Sequence, residues 1–224
     1  MSLYLSRIRL SRSPSAQALS GLLMPTEAGP RRSAHHGLLW AAFADGPNRR
    51  RDFLWREERD GTFLTLSERP PLAMDLFEPH EVKEFAPVLA PGQMLDFVLR
   101  ANATRTKRDG KRRVDVVMDA LHAIPQGARA AARMGVAGRE GAAWLARQGE
   151  AAGFKVVRAA AGDYSTVALS DHRGPRKGQP QFGILDLEGR IEVTDPDAFL
   201  ARLARGFGRA KAFGCGLMLI RRAQ

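Results

Sequence analysis

The stretch Asp195–Ile220 reads DPDAFLARLARGFGRAKAFGCGLMLI and predicts a helix, a loop and a strand in succession. Asp195 is a favourable N-cap residue, and Pro196 suits the first position of a helix. Apolar residues then recur at helical spacing, and Gly206 stands where helices commonly end in a left-handed residue. The run Leu217–Ile220 is apolar throughout, which is typical of a strand covered on both faces.

The loop between this helix and this strand is rich in glycine and carries two cations. Its glycines are Gly206, Gly208, Gly214 and Gly216, and its cations are Arg209 and Lys211. Glycine lets backbone N–H groups approach a phosphate closely, so one interpretation is a backbone cradle for a phosphate polymer. The other is a set of tight turns that allow close packing. A dinucleotide fingerprint is excluded because the glycines follow a helix, and a P-loop because no Gly-Lys-Ser/Thr follows.

The composition indicates a globular protein with a polyanionic partner. The chain has 224 residues, of which 44% are hydrophobic, enough for one large domain or two small ones. Its 35 Lys and Arg outnumber its 24 Asp and Glu, which gives a formal charge of +11. We expect nucleic acid rather than an anionic membrane surface, because no segment resembles a basic amphipathic membrane helix.

Features that the sequence lacks indicate where in the cell the protein is expected. No run of about 18 apolar residues occurs, so no transmembrane span is expected, and the N-terminus begins like a strand rather than a signal peptide. Cys215 is the only cysteine, which excludes an internal disulfide and a cysteine-cluster metal site. The sequence therefore predicts a cytoplasmic protein with no membrane partner.

The first part of the chain, residues 1–90, has the pattern of one ferredoxin-like domain. It contains a strand at 3–10, a loop with a helix fragment at 11–32, a helix capped by Ser33, a hairpin of strands 52–58 and 62–68 around Asp60-Gly61, and a Pro-rich stretch before a short closing segment. The order of strand, helix, hairpin, short segment and strand predicts a βαββαβ unit.

Residues 91–224 repeat this order with longer hairpins. The predicted elements are a strand at 93–101, a basic arm at 104–113, a strand at 114–117, a helix at 136–150, strands at 154–158, 164–169, 181–187 and 190–194, and then the helix, loop and strand described above. We therefore predict an α+β protein made of two tandem ferredoxin-like (RRM-like, βαββαβ) domains.

Several segments resemble the CasE family, the precursor-CRISPR-RNA endoribonucleases of type I-E Cascade systems. These segments span nearly the whole chain in the same order as in the family. They are His36 with the following LLWAAF, RDFLWR at 51–56, SERP at 67–70, LRAN at 99–102, GKR at 110–112 with Val114, Glu188-Gly189, VTDP at 193–196 and GFGRAKAFGCGL at 206–217. The last of these is the most specific.

The resemblance implies both a fold and an activity. It implies two ferredoxin-like domains and cleavage of CRISPR repeat RNA on the 3′ side of its stem-loop. It further implies that neither a metal nor another cofactor is used, and that the protein keeps the product within Cascade beside the other Cascade subunits.

The resemblance also places the catalytic histidine at His36. His35 is adjacent, but neighbouring helical residues point about 100° apart, so only one of the two can face the RNA. Some family members carry a tyrosine where this chain has Ser33, which we interpret as an N-cap. Lys177 is the candidate for stabilising the charged phosphorane, although a solvated basic turn accounts for that segment equally well.

RNA binding is expected at two sets of residues. The first set is the basic arm, because a hairpin of cations can follow the phosphates of A-form RNA, whose deep major groove hides the bases. The second set is the glycine loop. Together these residues are Arg105, Lys107, Arg108, Lys111, Arg112, Arg113, Gly206, Gly208, Arg209, Lys211, Gly214 and Gly216. A solvated charged face is the alternative interpretation of the arm.

Two other functions remain open from the residues alone. The first is a non-catalytic scaffold that binds an RNA stem-loop. The second is a basic RNA-associated protein outside CRISPR biology. The run Arg49-Arg50-Arg51 has two open interpretations, a further RNA contact or a basic stretch that simply follows the helix carrying His36.

Overall fold

The computed structural model describes residues 2–46, 48–59, 61–107, 110, 112–169 and 180–223. The chain forms two compact units. The first comprises Met1–Pro87, Ala168–Pro180 and Lys211–Gly214, and the second comprises Val88–Val167, Gln181–Ala210 and Cys215–Gln224. No helix in the described part of the chain has the length and apolar character needed to cross a membrane.

The first unit is an antiparallel four-stranded sheet with one long helix. Its elements are β1 (Tyr4–Arg9), α1 (Pro14–Ala18), α2 (Ser20–Leu23), α3 (Ala28–Phe43), β2 (Phe53–Arg59), β3 (Thr62–Ser67) and β4 (Glu81–Glu84). The strand order is β2-β3-β1-β4, with every neighbouring pair antiparallel. This is the strand order of a ferredoxin-like sheet.

The core of the first unit lies between α3 and the sheet. Leu39 and Phe43 of α3 pack with Ile8, Trp55 and Phe63 of the strands, all of them buried. Burying large side chains of this kind is worth roughly 1.5–3 kcal/mol each. This packing fixes which face of α3 points away from the sheet.

Two expectations for the first unit were wrong. Ser33 does not cap a helix, because α3 begins at Ala28 with Glu27 in the N-cap position. Pro30 lies in the first helical turn, where its missing N–H breaks no intrahelical bond, so the helix extends further than its capping signal suggests. The second helix of the βαββαβ pattern is not formed: residues 68–80 contain Pro70, Pro71 and Pro79 and form no helix.

The second unit is also an antiparallel four-stranded sheet, with a separate small hairpin. Its elements are β5 (Met94–Ala101), β6 (Thr104–Thr106), β7 (Arg113–Asp115), α4 (Val116–His122), α5 (Arg129–Glu150), β8 (Phe154–Ala168), β9 (Gln181–Val193), α6 (Pro196–Arg205) and β10 (Met218–Arg222). The order β10-β5-β9-β8 matches the order in the first unit. The mixed α/β fold with two ferredoxin-like sheets is therefore confirmed.

The helix of the stretch at 195–220 forms as its sequence indicates, but the expectation of a strand covered on both faces was wrong: β10 is an edge strand in which Leu219 and Ile220 are only half-buried. The Asp195 carboxylate accepts a hydrogen bond from Ala198 N at 3.0 Å, and Pro196 is the first residue of α6. Gly206 ends α6 with a φ of 74°. Phe199 and Leu203 are fully buried, so the apolar stripe of α6 faces the core of the second unit.

Several boundaries in the second unit differ from the predicted ones. The predicted strand at 114–117 was wrong beyond Asp115, whose side chain accepts from Val117 N and Met118 N and so starts α4. Helix α5 begins at Arg129 rather than at 136. The strands predicted at 154–158 and 164–169 are one strand, β8, and those at 181–187 and 190–194 are also one strand, β9.

Gly189 lies inside β9, close to the backbone of β8. A Cβ at this position would lie 2.1 Å from the carbonyl oxygen of Arg158 in β8. Glycine therefore allows the two strands to approach here, whereas the sequence pattern suggests a turn.

Candidate active site

The two adjacent histidines of α3 have different environments. His35 is fully buried, with its Nε2 3.1 Å from the Met24 sulfur and its Nδ1 3.7 Å from a Glu57 carboxylate oxygen. Its ring meets Phe63 edge-on at 4.8 Å between centroids. His35 is therefore part of the core and is not accessible to a polymer such as RNA.

His36 is half-buried on the neighbouring face of α3. Its ring lies 5.9 Å from that of Trp40 and 6.4 Å from that of Phe213, both between centroids. Its Nδ1 is buried and has no hydrogen-bond partner among the described residues. Burial, and secondarily the positive charge of Arg51, lower the pKa of His36 below its ordinary value of 6.5. His36 is therefore mostly neutral at pH 7, with a nitrogen able to accept a proton.

The segment 211–214 packs against α3 within the first unit. Arg32 of α3 donates a hydrogen bond from Nη1 to the carbonyl oxygen of Phe213 at 3.0 Å. Lys211 begins the same short 3₁₀ turn, Lys211–Phe213. The structure thus brings Lys211, predicted from the sequence as an RNA-binding residue, to the helix that carries His36.

Contacts within the protein explain why glycine occupies these positions of the loop. The N–H groups of Gly206 and Gly216 donate within the second unit, to the carbonyl oxygens of Arg202 and Leu203 and of Arg100 respectively. A Cβ at Gly208 would lie 2.5 Å from the Asn102 carbonyl oxygen, and a Cβ at Gly214 would lie 3.0 Å from the Trp55 ring.

Of the two interpretations of this loop, tight turns with close packing therefore account for the glycines: all four have a positive φ, and Gly208 and Gly214 also leave little room for a Cβ. A backbone cradle that uses the N–H groups of Gly206 and Gly216 is not formed, because both groups already have partners. RNA contact by Arg209, whose side chain is exposed, and by Lys211 stays a prediction.

The basic arm is a hairpin, β6–β7, as predicted. Arg105 and Lys107 both pair with the carboxylate of Asp119 in α4, at 2.7 and 2.9 Å. Arg112 and Arg113 are exposed, and Arg113 donates to Thr106 Oγ1 at 3.3 Å. Nothing in the sequence pattern indicates the role of Asp119, because its partners lie in a different element.

Three predicted residues lie outside the described part of the chain. They are Arg108 and Lys111 of the arm and Lys177, the candidate for charge stabilisation.

The resemblance motifs RDFLWR and SERP meet in an ion-pair network. Asp52 accepts hydrogen bonds from Arg69 at 2.8 Å and from Arg49 at 2.9 Å. Burial alone would raise the pKa of Asp52, but the hydrogen bonds from the two arginines outweigh it, so the pKa lies below its usual value. Asp45 pairs with the same two arginines. These residues are structural.

Tyr164 cannot take the role of the tyrosine that some CasE-like proteins carry near their histidine. It is buried in the second unit, and its hydroxyl donates to Asp115 Oδ1 at 3.0 Å. Burial and the adjacent Asp115 carboxyl raise the pKa of Tyr164, which keeps it protonated. The Asn102 amide of the LRAN motif donates to the Gly183 carbonyl at 2.8 Å in the same network.

The described part of the chain holds no evident metal site. No group of three or more His, Cys, Asp or Glu side chains converges there in a way that could hold a metal ion.

The fold and these surfaces define a double ferredoxin-like protein with a half-buried histidine and a basic hairpin. The family model described as "CRISPR associated protein" matches residues 3–222. The chain therefore belongs to this family of CRISPR-associated proteins.

Two curated relatives and one solved structure are similar to this chain. "CRISPR-associated endoribonuclease Cse3" of Thermus thermophilus is 32% identical over 146 residues, which cover 62% of this chain and 60% of the relative, less than two thirds of its length. "CRISPR system Cascade subunit CasE" of Escherichia coli is 28% identical over 194 residues, covering 82% and 88%. The structure of Thermus thermophilus Cse3 bound to an RNA representing a pre-cleavage complex is 24% identical, has a TM-score of 0.67, and covers 99% of this chain and 100% of that chain. It shows the fold.

Proposed function

We propose that this protein is a metal-independent endoribonuclease that cleaves CRISPR repeat RNA at the 3′ base of its stem-loop. It then keeps the mature crRNA and is a subunit of Cascade. The family membership and the names of the relatives support this proposal. The observation that carries it is His36, a half-buried imidazole with a lowered pKa and a buried Nδ1 that has no hydrogen-bond partner among the described residues.

The chemistry needs no external nucleophile, because RNA carries one. The 2′-oxygen forms a bond to the neighbouring phosphorus, and the bond from phosphorus to the 5′-oxygen breaks. The 2′-hydroxyl proton passes to a base, and the 5′-oxygen acquires a proton on leaving. The products are a 2′,3′-cyclic phosphate and a 5′-hydroxyl.

We assign the first proton transfer to neutral His36. General acid–base catalysis of this kind gives about 10²- to 10⁴-fold, and positioning with charge stabilisation supplies the remainder. Lys177 stays our candidate for the charge on the phosphorane, and the arm at 104–113 is proposed to hold the stem.

We further propose that these roles follow the domain division predicted from the sequence. Residues 1–90 form the domain with the catalytic histidine, and residues 91–224 form the domain with the arm and the glycine loop, apart from the segments 168–180 and 211–214, which belong to the first compact unit. A cytoplasmic location is part of the same proposal.

A scaffold that binds the stem-loop without cutting it is the second candidate. One observation favours it: Ser33, where some family members have a tyrosine, lies inside α3 one turn before His36. A serine hydroxyl, unlike a tyrosine phenol, is a poor proton donor near neutral pH.

The test is a cleavage assay on the CRISPR repeat RNA of the source organism in excess EDTA, with analysis of the product ends. Products with a 2′,3′-cyclic phosphate and a 5′-hydroxyl are expected. Tight binding without cutting would establish the scaffold. A protein that neither binds nor cuts the repeat would contradict both candidates.

A further inference from the structure

The run Arg49-Arg50-Arg51 lies just before β2 and separates into three environments. Arg49 is paired with Asp52 at 2.9 Å and with Asp45 at 3.6 Å. Arg50 is exposed. Arg51 is half-buried, and no hydrogen bond or ion pair is formed by it among the described residues. Asp45 and Asp52 pair with Arg49 and Arg69, and no acid in the described part of the chain pairs with Arg51.

The backbone that carries Arg51 leads directly into aromatic packing against α3. Phe53, two residues further on, stacks on Phe43 of α3 at 4.4 Å and meets Trp40 at 5.9 Å, both between ring centroids. Trp40 in turn contacts His36. The start of β2 is thus held against the part of α3 that carries His36, and the charge of Arg51 is close enough to influence the imidazole.

Keeping a half-buried guanidinium charged without an acidic partner costs free energy, unless a bound anion neutralises it. Removing part of its hydration disfavours the charged form, and burial accordingly lowers the pKa of Arg51. A phosphate supplies the matching anion, since its oxygens accept two parallel N–H bonds from the planar guanidinium. No acid or other hydrogen-bonding group among the described residues already accepts these N–H bonds from Arg51.

We infer that Arg51 is a further catalytic residue, which binds the scissile phosphate beside His36 and stabilises the charge that develops on its non-bridging oxygens. This inference rests on the proposed function and adds a residue to it. Arg51 forms and breaks no covalent bond and transfers no proton. It donates N–H bonds that strengthen as the phosphorane forms, while the 2′-oxygen attacks and the 5′-oxygen leaves.

The experiment measures single-turnover cleavage at saturating enzyme, with RNA affinity measured separately on a repeat that carries a 2′-deoxy scissile nucleotide. Arg51→Ala is expected to lower the rate of the bound complex by about 10²- to 10³-fold, as removal of one such donor does, with affinity changed only a few-fold. Arg51→Lys keeps the charge without the bidentate fork, so an intermediate rate is expected. The matched control is Arg50→Ala, which should cleave like the wild type.

Sulfur substitution separates contact with the phosphate from a structural role. Replacing one non-bridging oxygen of the scissile phosphate by sulfur should slow the wild type, and this slowing should disappear in Arg51→Ala. If the alanine variant fails to fold, Arg51→Lys takes its place. In Arg51→Lys the sulfur substitution is expected to slow cleavage less than it does in the wild type.

The outcomes distinguish this inference from the proposed function. A wild type that cleaves while Arg51→Ala cleaves equally fast at saturation would overturn the role of Arg51 alone. An undiminished sulfur effect in a slow Arg51 variant would do the same. A wild type that binds the repeat and never cuts it would overturn the proposed function and this role with it.

Discussion

The two units share one strand order and differ in what is attached to it. In the first, α3 is long, carries the histidine pair, and is not followed by a second helix between β3 and β4. In the second, α6 fills that position and a basic hairpin, β6–β7, follows the first strand. The sheet is thus a common frame, and the attachments carry the chemistry. We propose that catalysis belongs to the first unit and RNA binding mainly to the second.

The largest expected effect is that of His36→Ala. The rate of single-turnover cleavage should fall by about 10²- to 10⁴-fold, because the general base is removed. The affinity for a 2′-deoxy repeat should stay nearly constant if RNA binding belongs mainly to the second unit. Rapid-quench assays at saturating enzyme and filter-binding titrations measure the two quantities.

His122 in the second unit is the matched control, since it is exposed. His122→Ala should leave both quantities at wild-type values. A decrease of affinity in His36→Ala with an unchanged rate for the bound complex would reverse the division between the units.

The next effect is the dependence of cleavage on pH. The pKa of His36 is lowered, by burial and then by Arg51. A base must be unprotonated, so the rate should fall about tenfold per pH unit below an apparent pKa that lies under 6.5. Single-turnover rates between pH 4.5 and 8 measure this fall in rate. NMR titration of the free protein then shows whether the apparent pKa is that of His36. A rate that rises as the pH falls would show that His36 acts as an acid instead.

A moderate effect is expected from the hairpin of the second unit. Replacing Arg112 and Arg113 together by glutamine should weaken binding of the repeat without changing the rate of the bound complex. The slope of log affinity against log salt should decrease by roughly 0.7–0.9 for each phosphate that the protein no longer neutralises. Titrations at several salt concentrations give this slope, and an unchanged slope would mean that these arginines do not bind the phosphates.

Asp119→Asn tests the same hairpin, and here RNA affinity is expected to rise rather than fall. Asp119 pairs with Arg105 and Lys107, and the hydrogen bonds from these two cations lower the pKa of its carboxyl. Removing this charge should strengthen RNA binding at low salt, since the two cations no longer share an anion within the protein. Weaker binding would show that Asp119 positions the hairpin for RNA rather than competing with it.

The smallest effect concerns stability. Gly208→Ala should destabilise the protein by about 1–3 kcal/mol, because Gly208 has a φ of 70° and a Cβ would meet the Asn102 carbonyl oxygen at 2.5 Å. Gly135→Ala in α5 is the control, since a Cβ there would point into open space. It should stabilise by up to about 1 kcal/mol. Urea denaturation measures both; equal stability of Gly208→Ala and the wild type would contradict the close packing of the loop.

Elements whose signals are local can be predicted from this sequence. Asp195, Pro196 and Gly206 bound α6 as expected, and apolar alternation indicates the strands of both sheets. Trp55 and Trp144 stand among apolar neighbours in the sequence, and both are fully buried in the structure. Caps, turns and periodicity depend on neighbouring residues, so one sequence is enough to recognise them.

The remaining features depend on residues far apart in the chain. Ser33 resembles a cap because serine favours that role, but packing of α3 on the sheet extends the helix to Ala28. The partnership of Asp119 with Arg105 and the close approach of β8 to Gly189 follow from tertiary structure alone. The angle between helical neighbours predicts that only one of the two histidines faces the RNA, and the packing decides that His35 is the buried one.

In our account the first unit activates the 2′-hydroxyl of the RNA through His36. The most direct test uses wild-type protein, in EDTA, with two repeats that differ only in the 2′-oxygen of the scissile nucleotide. We predict equal binding of both repeats, cleavage of the ribose form and no cleavage of the 2′-deoxy form. Cleavage of both forms would contradict 2′-hydroxyl activation, because the nucleophile would then come from elsewhere.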